Sequence, residues 1–237
     1  MNKLQWLKYF FLLSTLFIFL LSSINFIIDP LWTFSHSNIF NNAQPGFNER
    51  QQKTNRAYFG TINQYNALIL GSSRTTYISQ QDFHGVHAFN YAAGSMSPYE
   101  YGGWIEVAKK IKGAKFDYIF IGLDFFASSK NNYLINITAE NYLKNSTAFL
   151  YRYKMLLSMD TLEKSLKSII HSKLPDTIDY TRDNIKRTIK ISGIRKQKAI
   201  DGDKKLFKSR YATNYQYNTD LKKIYRHLKK IILIQDL

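Results

Sequence analysis

The sequence predicts an α/β domain, a parallel sheet with flanking helices, preceded by one transmembrane helix. Three observations predict it. A charge-free apolar run of twenty residues lies near the N-terminus, three short apolar runs each end in small polar residues, and apolar positions recur at helical spacing around them. The 237 residues are enough for one anchor and one domain of ordinary size. An apolar fraction of 45%, with 16% aromatics, supplies a real core and excludes wholesale disorder. The absence of cysteine excludes disulfides, thiolate zinc sites and cysteine nucleophiles.

The apolar run is Tyr9 to Ile28, YFFLLSTLFIFLLSSINFII. As a helix it is about 30 Å long, the thickness of a bilayer core. Lys3 and Lys8 precede it and the next basic residue is Arg50, so the positive-inside rule puts residues 1–8 in the cytoplasm and everything after Ile28 outside it. A cleaved signal peptide has a shorter apolar region and a small-x-small site, which Leu21-Ser22-Ser23-Ile24 matches poorly; residues 9–28 therefore read as an uncleaved signal anchor.

Asp29-Pro30 closes the span, because proline cannot continue the helix. Residues 29–60 are polar, with turns at Asn41-Asn42 and Pro45-Gly46, and read as a stalk leading into a domain over 61–237. Ala67–Leu70 is a buried strand ended by Gly71-Ser72-Ser73, Val86–Phe89 a second, and Tyr118–Ile121 a third. About fifteen residues separate the first two, enough for a crossover. Between the second and third, Ser97, Pro98 and Glu100 form a capping box with proline at the first helical position. Tyr101, Ile105, Ala108 and Ile111 continue that helix, which Gly102-Gly103 weakens. Strand, crossover, strand, helix, strand implies parallel pairing. Tyr151 to Ile170 has apolar residues at helical intervals, 171–216 cannot be placed, and Asn218 or Thr219 caps a last helix with Leu221, Ile224, Leu228 and Ile231 in one stripe.

The net charge of +16 is uneven: residues 1–150 carry 12 Lys/Arg against 8 Asp/Glu, and 151–237 carry 21 against 9. A basic half suits anionic headgroups, an acidic polymer or nucleic acid, although a chain this rich in Lys, Asn, Ile, Tyr and Phe also fits AT-rich codon bias. The topology disfavours nucleic acid. No His/Asp/Glu spacing resembles a metal site, and no P-loop or dinucleotide fingerprint is present, so neither metal nor cofactor is expected.

The chemistry-bearing residues fall directly after the strands: Gly71-Ser72-Ser73-Arg74, Asn90 with Gly94, and Gly122 with Asp124. In an open parallel sheet the carboxyl ends of the strands form the ligand crevice. Hydroxyls, an amide, a guanidinium and a carboxylate are thus delivered to one rim.

These blocks, in this order, resemble the SGNH/GDSL hydrolase superfamily, and within it a membrane-anchored bacterial branch with a Gly-Ser-Ser-Arg first block. The resemblance runs through Asp29-Pro30, Pro45-Gly46-Phe47-Asn48, LILGSSR (68–74), FNYAAG (89–94), IGLDFF (121–126) and LLSMDTLEKSLKSI (156–169). It implies a flavodoxin-like three-layer fold, Ser73 as nucleophile, and the amides of Ser73 and Gly94 as oxyanion donors with Asn90 nearby. Asp124 stands near the third block, where these hydrolases usually have asparagine; an ionised carboxylate cannot donate to an oxyanion. Arg74 either holds an anionic substrate group or pairs with a carboxylate such as Asp124.

The superfamily's base is a histidine of an Asp-x-x-His block near the C-terminus, and none of His36, His84, His87, His171 or His227 has aspartate three residues before it. The strand and histidine loop expected after the last helix do not precede Leu237, so the chain reads as a truncated copy, catalytically incomplete. The resemblance thus implies a domain in the periplasm or cell exterior, tethered to the inner or plasma membrane. It is related to ester hydrolases and O-acyltransferases of envelope glycans. The alternative is a non-catalytic accessory module for an acidic envelope polysaccharide or a membrane acyltransferase.

Overall fold

The structure is a computed structural model and describes residues 3–60, 62–124, 138–171 and 178–188, with Gln197, Asp201, Gly202, Lys204 and Lys205. The first helix, α1 (Lys3–Ile28), is the one helix among the described residues long and apolar enough to cross a membrane. Its side chains are exposed almost continuously to Leu20, and only Leu21, Asn25 and Ile28 are buried.

The parallel sheet forms as the apolar runs predict. Strands β2 (Ala67–Leu70), β3 (Ala88–Asn90) and β4 (Tyr118–Ile121) lie in the order β3-β2-β4, all parallel, with Leu68 opposite Phe89 and Ile119. The second strand sits two residues later than Val86, and its crossover from β2 is made of two 3-10 turns, Thr75–Tyr77 and Gln80–Asp82.

Strand alternation splits the sheet's side chains between two faces. Leu68, Leu70 and Phe89 pack under α3 (Pro98–Lys112), through Trp104, Ile105 and Ala108, and with Ala57 and Leu143 from two further helices. Each large side chain buried here contributes about 1.5–3 kcal/mol of transfer free energy. Ala67, Ile69 and Ala88 face the other way, against Phe83, Val86 and Phe120. Among the described residues the helices that pack on the sheet do so through the first cluster, and a third layer is not reached. The capping box of α3 is present, and its C-terminus closes on Gly113 in the left-handed conformation.

Two readings of the sequence are corrected. Residues 29–60 are not a stalk. They contain β1 (Ala43–Gln44) and α2 (Glu49–Phe59), and α2 buries Gln51, Gln52, Lys53, Thr54, Asn55 and Ala57. The buried amides bond other segments: Gln52 donates to the Pro30 carbonyl (2.8 Å), Asn55 to the Leu31 carbonyl (2.7 Å), and Gln51 to Ser146 of α4 (Ala139–Thr147) at 2.9 Å. The helix predicted over 151–170 is interrupted at Leu157-Ser158, giving α5 (Tyr151–Leu156) and α6 (Met159–His171).

Part of the stretch the sequence left unplaced forms a hairpin. Strands β5 (Ile178–Thr181) and β6 (Lys186–Thr188) pair antiparallel, with Asn184 taking the positive φ of the turn, and β5 also pairs with β1. Arg182 of this turn enters a buried ion pair with Asp29 (Nη1 to Oδ2, 2.9 Å). The last helix expected from Asn218 or Thr219 lies outside the described residues.

Candidate functional site

Because β2, β3 and β4 are parallel neighbours, the segments that follow them leave the sheet at one edge. Gly71–Arg74, Asn90–Gly94 and Gly122–Asp124 therefore share a rim. Thr75 sits at its centre: a Cβ built on Gly71 or on Gly122 would overlap the Thr75 hydroxyl, so glycine at both strand ends lets the loop fold back onto β2 and β4. Gly122 donates to the Leu70 carbonyl (2.8 Å) and Ala93 to that of Gly71 (3.1 Å), which ties the three exits together.

Asn90 is fully buried and all of its amide is engaged within the chain. Its Nδ2 donates to the carbonyls of Thr75 and Ile78, both at 3.0 Å, and its Oδ1 accepts from the Ala92 amide at 3.0 Å. It locks the loop after Ser73 and has no free donor for a ligand. Gly94 is likewise occupied. Its N–H donates to the Glu49 carboxylate, and its carbonyl accepts from Arg50 at 3.0 Å, whose guanidinium also pairs with Glu100 at 3.1 Å. The amide that the resemblance assigns to an oxyanion already holds a carboxylate of this chain.

Ser73 is half-buried, and its carbonyl accepts from the Thr76 hydroxyl (2.6 Å). Asp124 comes within 3.9 Å of Arg74, the pairing that was one of the two readings of that arginine. The Arg74 side chain is 83% exposed and that of Asp124 only 9%, so the pair is loose at one end and confined at the other. Burial raises the Asp124 pKa, and Arg74 lowers it only in part. Asp124 Oδ2 and the hydroxyl of Ser72 are buried without a hydrogen-bond partner among the described residues, at the ends of adjacent strands.

No described histidine reaches this rim. His36 packs on the Phe26 ring where α1 ends, and exposed His84 and His87 precede β3, on the amino-terminal side of the sheet. His171 bonds Asp179 of β5. Side chains alternate along a strand, and Tyr180 is the residue of β5 whose ring lies 5.5 Å from the Lys53 ammonium, so Asp179 turns the other way. The His171–Asp179 pair ties α6 to the hairpin. His227 lies outside the described residues. None of the described side chains forms a cluster that could hold a metal ion.

The residues under the rim that the sequence reading missed are Glu49, Arg50 and Lys53 of α2, with Tyr180 and Lys186 of the hairpin. Lys53 is completely buried, donates to the Ala92 carbonyl (2.6 Å), and lies within 3.5 Å of Asn90 Oδ1. Desolvation lowers its pKa to about 7, with Glu49 opposing and Lys186 adding to the fall. The available signal was Asn48, which caps α2 by accepting from Gln51 N at 3.1 Å. A helix this polar all round reads as solvated unless its partners are known.

Comparison with family models, with curated proteins and with solved structures gives no match for this chain.

Proposed function

We propose that this is a membrane-tethered module outside the cytoplasm, SGNH-like in its strand-end blocks and related to ester hydrolases and O-acyltransferases of envelope glycans. Its rim binds a ligand without turning over esters. The observation that carries this reading is the bond between Glu49 and the Gly94 amide: the position where a developing oxyanion would be stabilised is filled by an anion of the protein itself. Serine becomes a useful nucleophile at neutral pH only with a base in reach, and the described histidines lie elsewhere. The Ser72 hydroxyl and the Asp124 carboxylate oxygen, buried without a partner among the described residues, favour a hydroxyl-bearing ligand such as a glycan, since buried polar groups ordinarily find a partner. The length and composition of α1 support the tether.

Turnover of aryl acetates by the full chain in detergent tests the reading. The expected rate equals that of Ser73→Ala. A rate that falls to background in Ser73→Ala contradicts it and makes Glu49 a group that yields to substrate.

A further inference from the structure

Helix α6 has three faces. At about 100° per residue, Met159, Leu162, Leu166, Ile169 and Ile170 fall in one sector. Thr161, Ser165 and Ser168 fall in a second, and Asp160, Glu163, Lys164 and Lys167 in a third. In a helix that packs on a protein core the apolar sector is the buried one. Here the buried residues are Thr161, Ser165 and Ser168, while Met159, Leu166 and Ile170 are 58%, 48% and 61% exposed. The charged sector is exposed too, with ion pairs Asp160–Lys164 and Glu163–Lys167 along it. Two exposed faces of opposite character need two different surroundings.

The neighbour of α6 identifies the apolar one. Both α5 and α6 pack on α1, and Asn25 of α1 is the polar centre of that contact. Its Nδ2 donates to the carbonyls of Leu156 (2.9 Å) and Ser158 (3.1 Å), and its Oδ1 accepts from Ser165 (3.0 Å). Asn25 is three residues inside the end of the apolar run, about 4.5 Å along the helix axis. The break between α5 and α6 is therefore held at the depth of the last turn of α1. Interrupted backbone at membrane depth needs its carbonyls satisfied within the protein, and Asn25 does this for the break. Leu157 at the break, Tyr153 in α5 and Phe149 just before α5 are also exposed.

We propose that α5 and α6 lie in the interface of the leaflet through which α1 leaves the bilayer. The apolar sector of α6 meets the acyl chains, the small sector lies on α1, and the charged sector faces headgroups and water. This rests on the reading of α1 as a membrane span. It makes the domain a body seated on the membrane at a fixed orientation, with the anchor and α6 as two points of attachment.

The chain has no cysteine, so single-cysteine variants carry one spin label each. Leu166→Cys, Ile170→Cys, Phe17→Cys in α1 and Glu163→Cys in the charged sector are made in the full chain and placed in phospholipid nanodiscs. Collisions with oxygen, which partitions into lipid, are compared with those of a water-soluble nickel chelate. Labels at 166 and 170 are expected to favour oxygen, as at 17, with the opposite preference at 163. Nickel access at 166 and 170 with oxygen preference at 17 overturns the seating and leaves the anchor. Shielding of 166 and 170 from both reagents also overturns it, because protein then covers the face. Nickel access at 17 removes the anchor reading, and this one with it.

Discussion

Replacing Asp29 by asparagine tests how the chain is held where it leaves α1. The carboxylate is 1% exposed and accepts from the Thr33 amide (2.8 Å), the Thr33 hydroxyl (3.0 Å), the Phe34 amide (3.1 Å) and Arg182 (2.9 Å). Arg182, 153 positions later in the chain, also donates to the Asn41 and Asp29 carbonyls. The variant keeps the shape but places an amide NH2 against one of these donors and leaves the buried guanidinium without its counter-charge. Breaking a buried pair on one side costs about 3–5 kcal/mol, a large share of the roughly 5–15 kcal/mol by which domains are stable. Trp32 is the reporter: it is buried, lies 6.0 Å from the Arg182 guanidinium, and donates to Gln44 at 2.9 Å. Urea unfolding of the full chain in detergent, followed by tryptophan emission, gives the free energies. Asp29→Leu with Arg182→Met should recover most of the loss, because matched apolar replacement of a buried pair is often neutral. A loss below about 1 kcal/mol for Asp29→Asn, the range of surface pairs, would refute the tie between the exit of α1 and the hairpin.

Three further outcomes follow from the rim. Gly122→Ala should cost about 1–3 kcal/mol by overpacking against Thr75, whereas Gly103→Ala, in ordinary contact with Ala139, should be neutral or gain up to about 1 kcal/mol as helix propensity; thermal unfolding of the pair checks both. The folded pKa of Lys53 is about 7 against 10.5 unfolded, so between those values the unfolded chain binds more protons. Stability from this group is complete above pH 10.5, falls by up to about 1.4 kcal/mol per pH unit on acidification, and levels off below pH 7; Lys53→Met should lose that slope in urea titrations at pH 7 and 9. Asp124, whose pKa is raised, is destabilising once ionised, an effect absent below its unfolded value of 3.8 and complete above its folded one. Asp124→Asn should therefore stabilise the protein at pH 8 relative to wild type and leave it nearly unchanged at pH 3, as melting temperatures at the two values will report.

The sequence carried the sheet well because β2 and β4 are short apolar runs ended by glycine, and a buried parallel strand has few other ways to look. The capping box at Ser97 and Glu100 located the start of α3 for the same reason: the motif is local. What depended on distant partners was not legible. Gln51, Gln52, Lys53 and Asn55 are polar and became interior because they meet Ser146, Pro30, Ala92 and Leu31. No periodicity announces such a helix. Their places after a strand make Asn90 and Gly94 look like ligand groups, and both stand at the rim. Their donors are already spent within the folded chain, on Thr75, Ile78 and Glu49. The break in the helix over 151–170 carried no proline or glycine, and its capping group, Asn25, lies about 130 residues earlier, in α1.

Covalent labelling of Ser73 tests the central proposal most directly, since a fluorophosphonate reacts only with a serine that has both a base and an oxyanion donor at hand. With Glu49 on the Gly94 amide and no described histidine at the rim, the full chain in nanodiscs should take up no more probe than Ser73→Ala under conditions that saturate a serine esterase run alongside. Stoichiometric label on wild type, mapped to Ser73 by mass spectrometry and lost in Ser73→Ala, would contradict the non-catalytic rim.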